Sequence, residues 1–474
     1  MIPLSSEKPQ PAALGPFTAS AIATLHRQES AAFLSRRPRC CAQFEQAKTH
    51  MPGGVPMHWM RDWGTPVPLI INSGHGITLT DLDGHRYRDF CLGDTGAMFG
   101  HSPDAIARVL RDYAGDGLTT MLSGADATAV AALLAERFQL PYWQVTATAT
   151  DANRAVLRWA RAIAALDKSG HDKVLVFNGC YHGTVEETMV QMQAGATTNR
   201  PGLIGQIFDL AQSTVAIEFN DRTALSTALA RGDIALLLAE PVMTNCGMVL
   251  PDDGFWPFAQ AECKRYGVLL ALDETHCISS DWAGYSGSHQ LTPDFMVLGK
   301  PIAGGLCAAV YGFSASMLAA MNRVHDQRQP GHSGMGTTLA ANLLTMRAMH
   351  AMLAEVMSHD AYAHMLPLAA QLADELRALF ARHALPWSVA QVGARCEWIF
   401  SPTVPRTGSE ALAREDDHDL GAALHLTLLN RGVLVTPFHH MCLVSPVTER
   451  ADIDALLAAL DDSLLQLKHL SQST

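Results

Sequence analysis

No stretch of this 474-residue sequence approaches the roughly 18 uninterrupted apolar residues that a membrane span requires. Its first residues, MIPLSSEKPQPAALG, lack a basic segment followed by an apolar core, so the expectation is a soluble, unexported, cytoplasmic protein. The ten cysteines form no C-x-x-C pair and no short framework spacing, which excludes a small disulfide scaffold or zinc module and fits a reducing compartment. The 21 histidines are scattered and H-E-x-x-H is absent, so no metal site is expected. Basic charge is in deficit, 34 Lys and Arg against 46 Asp and Glu, for a net charge of −12. Nucleic acid and anionic membrane are therefore not expected partners, and small molecules are. No G-x-G-x-x-G joins a strand to a helix near the start of the α/β region, which sets aside a nicotinamide-dependent dehydrogenase. No internal repeat is visible either.

What is present is a globular composition, 48% hydrophobic and 17% charged, on a chain long enough for two or three domains. A helical pattern runs from Thr18 to Leu34 and ends at the basic break Arg36-Arg37-Pro38-Arg39. The alternation from Thr78 to Phe90 around Asp83-Gly84 predicts a β-hairpin. Short apolar runs then alternate with helical stretches: Val174–Phe177, Ile234–Ala239, Val268–Leu272, Phe295–Leu298 and Ala309–Phe313. Runs apolar on both faces suit a mostly parallel sheet covered by helices. Helices at His364–Ala384 and Ile453–Leu467, with strands near Glu397–Ser401 and Val433–Val435, suggest a smaller α/β domain.

Ligands of such sheets bind beyond the carboxyl ends of the strands, so the polar residue after each apolar run is the first candidate. Asp273-Glu274 follows one run, Gly299-Lys300 another, Tyr181-His182-Gly183 a third, and Thr150-Asp151-Ala152-Asn153 a fourth. Thr148–Asn153 opens a helix marked by Val156, Trp159, Ala160 and Ile163, where free backbone N–H groups and the Thr150 hydroxyl suit a phosphate. Taken alone, the same segment is an ordinary N-cap. Lys300, before the small-residue run Ala303-Gly304-Gly305, can be a desolvated amine that forms a Schiff base, or a solvated loop lysine. Asp273 can likewise be a turn cap.

In order and spacing, these segments resemble the class III aminotransferases, pyridoxal-phosphate enzymes of fold type I. The anchors are Met51-Pro52-Gly53-Gly54, Thr78–Phe90, Gly100-His101-Ser102-Pro103, Thr148–Asn153, Tyr181-His182-Gly183, Glu240-Pro241-Val242, Leu272-Asp273-Glu274, Gly299-Lys300 with Gly304-Gly305, and Gly336-Thr337-Thr338-Leu339. The opening is most similar to the branch of glutamate-1-semialdehyde aminomutase and the transaminases of β-amino acids and amines. The resemblance implies an N-terminal arm (residues 1–50), an N-terminal part of a small domain (51–115), a large cofactor-binding domain (116–350) and a C-terminal small domain (351–474). It implies a homodimer with shared active sites that moves an amino group from an amine or a β- or ω-amino acid to a keto acid or aldehyde. The alternative is an isomerase of the same family, an aminomutase or epimerase.

Carried over by residue, Lys300 becomes the Schiff-base lysine and proton shuttle, and Asp273 the partner of the pyridine nitrogen. Tyr181 stacks on the ring; Ala149, Thr150 and, across a subunit boundary, Thr338 hold the phosphate. His276 reaches the 3-oxygen, and His182 and Glu240 belong to the same site. Three departures bear on this. Ala149 stands where the family has glycine, so phosphate binding requires that position 149 need no positive φ. Thr337 replaces a glycine, and Thr275 a valine that packs under the ring. Relatives that use keto acids also place an arginine just before the final helix, where Thr436 and Phe438 stand here. The expectation is a pocket for apolar or aromatic amines, walled by Trp59, Trp63 and Phe438, with Arg61 holding any carboxylate.

Overall fold

The computed structural model describes residues 15–167, 170–413, 418–437 and 439–473. Near the N-terminus, β1 (Ile71–His75), β2 (Thr78–Asp81) and β3 (Arg86–Asp89) form an antiparallel meander, with the expected hairpin turn between β2 and β3. Next come β4 (Tyr142–Thr146), β5 (Lys173–Phe177), the hairpin β6 (Val190–Gln193) and β7 (Ala196–Asn199), then β8 (Thr214–Ile217), β9 (Ile234–Ala239), β10 (Leu269–Asp273), β11 (Phe295–Leu298) and β12 (Ala309–Phe313). The last four strands are β13 (Ser388–Val392), β14 (Arg395–Ile399), β15 (Val433–Leu434) and β16 (His440–Leu443).

Seven strands make the main sheet in the order β4-β12-β11-β10-β9-β5-β8. Pairing is parallel from β11 through β10, β9 and β5 to β8, and antiparallel only where β12 meets β11 and β4. Every residue of β9 is buried, as a strand covered on both faces requires. One face packs an aromatic group of Phe177, Phe219, Phe255 and Trp256; the other packs the helix Ala149–Asp167 through Ala152, Val156 and Ala160. This is the fold type I arrangement the sequence implied. The strand reading missed β8, and it placed β10 one residue early, so Asp273 is the strand's last residue.

The second layer system draws on both ends of the chain. β15 extends the meander by pairing parallel with β3, and β13, β14 and β16 form a three-stranded antiparallel sheet. The long helices His359–Arg382 and Arg450–Gln472 pack on it through Leu372, Leu376, Leu456 and Leu460. The N-terminal helix Ala19–Arg36 is docked into the same core through Ile22 and Leu25. Its basic break is not a solvated hinge, because Arg37 is buried, donating to Tyr87 Oη at 2.9 Å and Asn430 Oδ1 at 2.9 Å beside the Asp81 carboxylate.

Candidate active site

A cavity of about 280 Å³ opens at the carboxyl edge of the main sheet, lined by Thr148, Ala149, Thr150, Tyr181, Glu240, Asp273, Thr275, His276 and Lys300 among others. Six chain-distant segments meet there because each parallel strand delivers its last residue to the same edge. At the floor, Asp273 accepts from Asn153 Nδ2 at 2.8 Å, from the Thr275 amide at 3.1 Å, and from His182 Nδ1 at 3.0 Å. Burial by itself raises the Asp273 carboxyl, but the hydrogen bond and charge of His182 outweigh it and hold the carboxyl below its usual range. Burial likewise works against a charged His182, yet the bond to Asp273 wins and lifts the imidazole to about 10. The floor is thus a buried ion pair with the carboxylate facing the cavity.

One wall is the start of the helix Ala149–Asp167. Ala149 is the first helical residue and is not among the positive-φ positions, so the alanine costs no strain; Thr148 Oγ1 caps the Asp151 amide at 3.2 Å, which leaves the Ala149 and Thr150 amides for a ligand. The close fit depends on two glycines. A Cβ on Gly299 would stand 3.0 Å from Ala149 Cβ, and one on Gly183 would reach 2.2 Å from Thr150 Oγ1. Thr150 Oγ1 accepts from the Thr184 amide at 3.1 Å, which ties the Tyr181 loop to the helix start.

Lys300 faces this wall from the end of β11. Its Nζ donates to the Asp94 carbonyl at 2.8 Å, to Asp94 Oδ2 at 2.8 Å and to His276 Nε2 at 2.7 Å. That last bond leaves the His276 ring proton on Nδ1, which faces Thr95 Oγ1 at 2.9 Å. Burial and then the Lys300 charge keep His276 well below its ordinary value, so the ring is neutral. Asp94 comes from an unusual turn in which Leu92, Gly93, Asp94 and Thr95 all have positive φ (47°, 58°, 48° and 82°). For the three non-glycine residues that costs about 1–2 kcal/mol each. Asp89 offsets part of the cost by accepting from the Cys91 and Leu92 amides at 2.8 and 2.9 Å. Burial would raise the Asp94 carboxyl, but His276, Lys300 and Arg395 together hold it well below the usual carboxylate range. Arg395 is fully buried behind this group, donating Nη2 to Thr95 Oγ1.

Residues 59–464 match the family model for class-III aminotransferases. The chain belongs to that family. A glutamate-1-semialdehyde 2,1-aminomutase of Syntrophomonas wolfei is 29% identical over 441 residues, covering 91% of this chain and 99% of the relative. The crystal structure of a glutamate-1-semialdehyde aminomutase from Pseudomonas aeruginosa, a lysine-to-alanine form in complex with PMP, superposes with a TM-score of 0.91 at 45% identity over 95% of this chain and 100% of that one. A β-phenylalanine aminotransferase from Variovorax paradoxus gives 0.80 at 26% identity, over 93% and 96%.

The cofactor of this class-III aminotransferase is pyridoxal phosphate, and the cavity fits it. An anionic floor suits a protonated ring nitrogen, and a free helix start with a threonine hydroxyl suits a phosphate. Tyr181, 39% exposed on the cavity wall, offers an aromatic face, and the buried Thr275 Oγ1 has no partner. Glu240 lines the same cavity, holding Thr244 Oγ1 at 2.6 Å, with its carboxyl pushed up by burial.

Other expected residues fall elsewhere. Thr338 lines a separate cavity of about 530 Å³ with Thr337, Trp143 and Val145, so it does not meet Lys300 of its own chain. Trp59 and Arg61 sit on an exposed turn, His58–Arg61, where Arg61 Nε bonds its own turn at the His58 carbonyl, 3.2 Å away. Neither residue lines the Lys300 cavity of its own chain. Trp63 packs instead with Phe33, Tyr87 and Leu434. Phe438 lies outside the described residues. Asn153, Asp94, Thr95 and Arg395 were not singled out from the sequence. A signal existed for the last: Arg395 is the one basic residue in the run Ala394-Arg-Cys-Glu-Trp-Ile-Phe400, where a strand should bury its side chains.

Proposed function

We propose that this chain moves amino groups between carbon atoms, with Lys300 holding the cofactor and handling the proton at the reacting carbon. The observation that carries this is the placement of the Lys300 amine opposite the Asp273 carboxylate across one cavity that begins at a free helix start. Pyridoxal phosphate, when bound, supplies an aldehyde carbon that accepts the amino group and a ring that takes up electrons freed at the donor carbon. Asp273 then balances the charge of the ring nitrogen, and His182 and Asn153 fix the carboxylate that does so. Lys300, resting on His276 Nε2 and Asp94, has an acceptor at hand when it gives up or takes a proton. Thr338, exposed and away from its own chain's Lys300, is read as a phosphate contact for a second subunit's cavity, which makes the working unit a homodimer.

Two courses share this machinery. The amino group passes to a separate carbonyl compound, as in the β-phenylalanine aminotransferase neighbour, or returns to the adjacent carbon of the same molecule, as in the aminomutase relatives. The names of those relatives favour the second course over the intermolecular transfer expected from the sequence. Product analysis decides: glutamate-1-semialdehyde, incubated without any keto acid, should yield its isomer. Turnover only when pyruvate or 2-oxoglutarate is added, with a variety of amines, would return the assignment to an aminotransferase.

A further inference from the structure

We propose that Arg395 receives a substrate carboxylate, so that the site takes amino acids in preference to plain amines. The inference rests on the amino-transfer reading above and adds a specificity residue to it. Three arginines of the described chain are buried to 3% exposure or less: Arg37, Arg137 and Arg395. The first two are satisfied. Arg37 donates to Tyr87 Oη, Asn430 Oδ1 and the Phe33 carbonyl. Arg137 donates to the Trp282 and Met357 carbonyls and Tyr362 Oη. Arg395 differs, because its Nε and Nη1 are buried without a hydrogen-bond partner and only Nη2 is engaged, on Thr95 Oγ1.

The nearest anion is Asp94. Its Oδ2 is committed to Lys300, and its Oδ1, also buried and without a partner, stops 4.0 Å short of Arg395 Nη1. A donor and an acceptor therefore face each other unsatisfied beside the reacting amine, in a fold that pairs its other buried guanidinium groups. Buried polar atoms are nearly always paired, so the gap calls for a guest. A guanidinium in low dielectric selects a carboxylate. One such group, that of Asp94, already lies within 4.0 Å of Lys300, His276 and Arg395.

The position suits a substrate. The His276 ring accepts from Lys300 at Nε2, 2.7 Å away, and its Nδ1–H lies 3.3 Å from Arg395 Nη2, both donating to Thr95 Oγ1, so the guanidinium is one imidazole away from the amine. An amino acid carries its nitrogen and its carboxylate a few bonds apart, and can address both. Arg395 also lies directly across from Leu443 in the β14–β16 pairing, next to the segment where an arginine was expected and is absent. The charge is supplied from the neighbouring strand. Because Arg395 is fully buried, its proposed role requires the Asp94 side chain, 37% exposed, to swing aside for the substrate carboxylate.

The test uses the holoenzyme and two matched donors, 3-amino-3-phenylpropanoate and 1-phenylethylamine, which differ by one carboxylate. In Arg395→Met, kcat/KM for the carboxylated donor should fall about 100-fold more than for the amine. Arg395→Lys, which keeps the charge without the planar fork, should fall in between and guards against a folding defect in the first variant. Equal losses on both donors would assign Arg395 a structural role and overturn the proposal. A second arm does not depend on turnover: calorimetry with 3-phenylpropanoate should give binding to wild type that is lost in Arg395→Met. Binding that survives the substitution, or is absent from wild type, overturns the proposal. If neither donor reacts, the amino-transfer reading fails on that assay, while the calorimetric arm still decides Arg395.

Discussion

One side of the Lys300 cavity is made of residues that end a strand of the main sheet or stand in the loop or helix start after one: Asp273, Lys300, Tyr181 and Thr150. Behind Lys300 and His276, outside the residues that line the cavity, stands a second group, Asp94 and Thr95 from a left-handed turn and Arg395 from the small three-stranded sheet. The first side places groups by chain direction, since parallel strands deliver their last residues to a common edge. The second places them by packing one layer system against another, with local backbone strain retained at the contact. On the proposals above, the sheet edge carries the amino-transfer chemistry and the packed group carries the choice of substrate.

That division can be broken by measurement. The largest effect belongs to Lys300 on the sheet edge. Lys300→Ala should lower turnover on the order of 10⁴-fold or more while the protein still melts cooperatively. Appreciable activity in that variant would move the chemistry off the sheet edge. Asp273→Asn comes next, with a loss of about 10²-fold, because the amide can accept through only one of the two positions that serve Asn153 and Thr275 and cannot balance a cation. A variant within a few-fold of wild type would mean that another group, with Glu240 the first candidate, supplies the charge.

The smallest effect is one of stability, and it tests whether the floor is an ion pair. His182 titrates near 10 in the folded chain against an ordinary 6.5. Its contribution is therefore complete below about 6.5 and is lost as pH rises through about 10. Asp273, held low, contributes above its ordinary 3.8 and loses that contribution as pH falls through its lowered value. The melting temperature of wild type should thus decline from neutral pH toward 10, and His182→Gln should flatten that slope. Parallel slopes in the two proteins would leave the floor without its imidazolium.

Much of the sheet-edge side was legible beforehand. The apolar runs that became β5, β9, β11 and β12 are continuous and short, which is the local signature of strands covered on both faces. Each is followed by a polar or small residue, so Lys300 and Asp273 could be nominated by position, and the order of motifs supplied their proposed roles. Ala149 in place of glycine looked like an obstacle, and it dissolved because the residue opens a helix instead of turning left-handed. The packed group was not legible. Asp94 was not singled out in the run Gly93-Asp94-Thr95-Gly96, and Arg61 and Trp59 drew attention only because their segment neighbours the site in the family pattern.

By itself the sequence determined the class of fold, the family and the cofactor, and it nominated the residues proposed to handle that cofactor, because these follow from local hydrophobic pattern, chain direction and motif order. Only the tertiary structure decided that Asp94 meets Lys300 across 206 positions and that Arg395 meets His276 across 119. No periodicity encodes such contacts. They depend on how the small domain seats against the sheet edge, and on burial deep enough that an unpaired guanidinium becomes a statement about what must bind beside it.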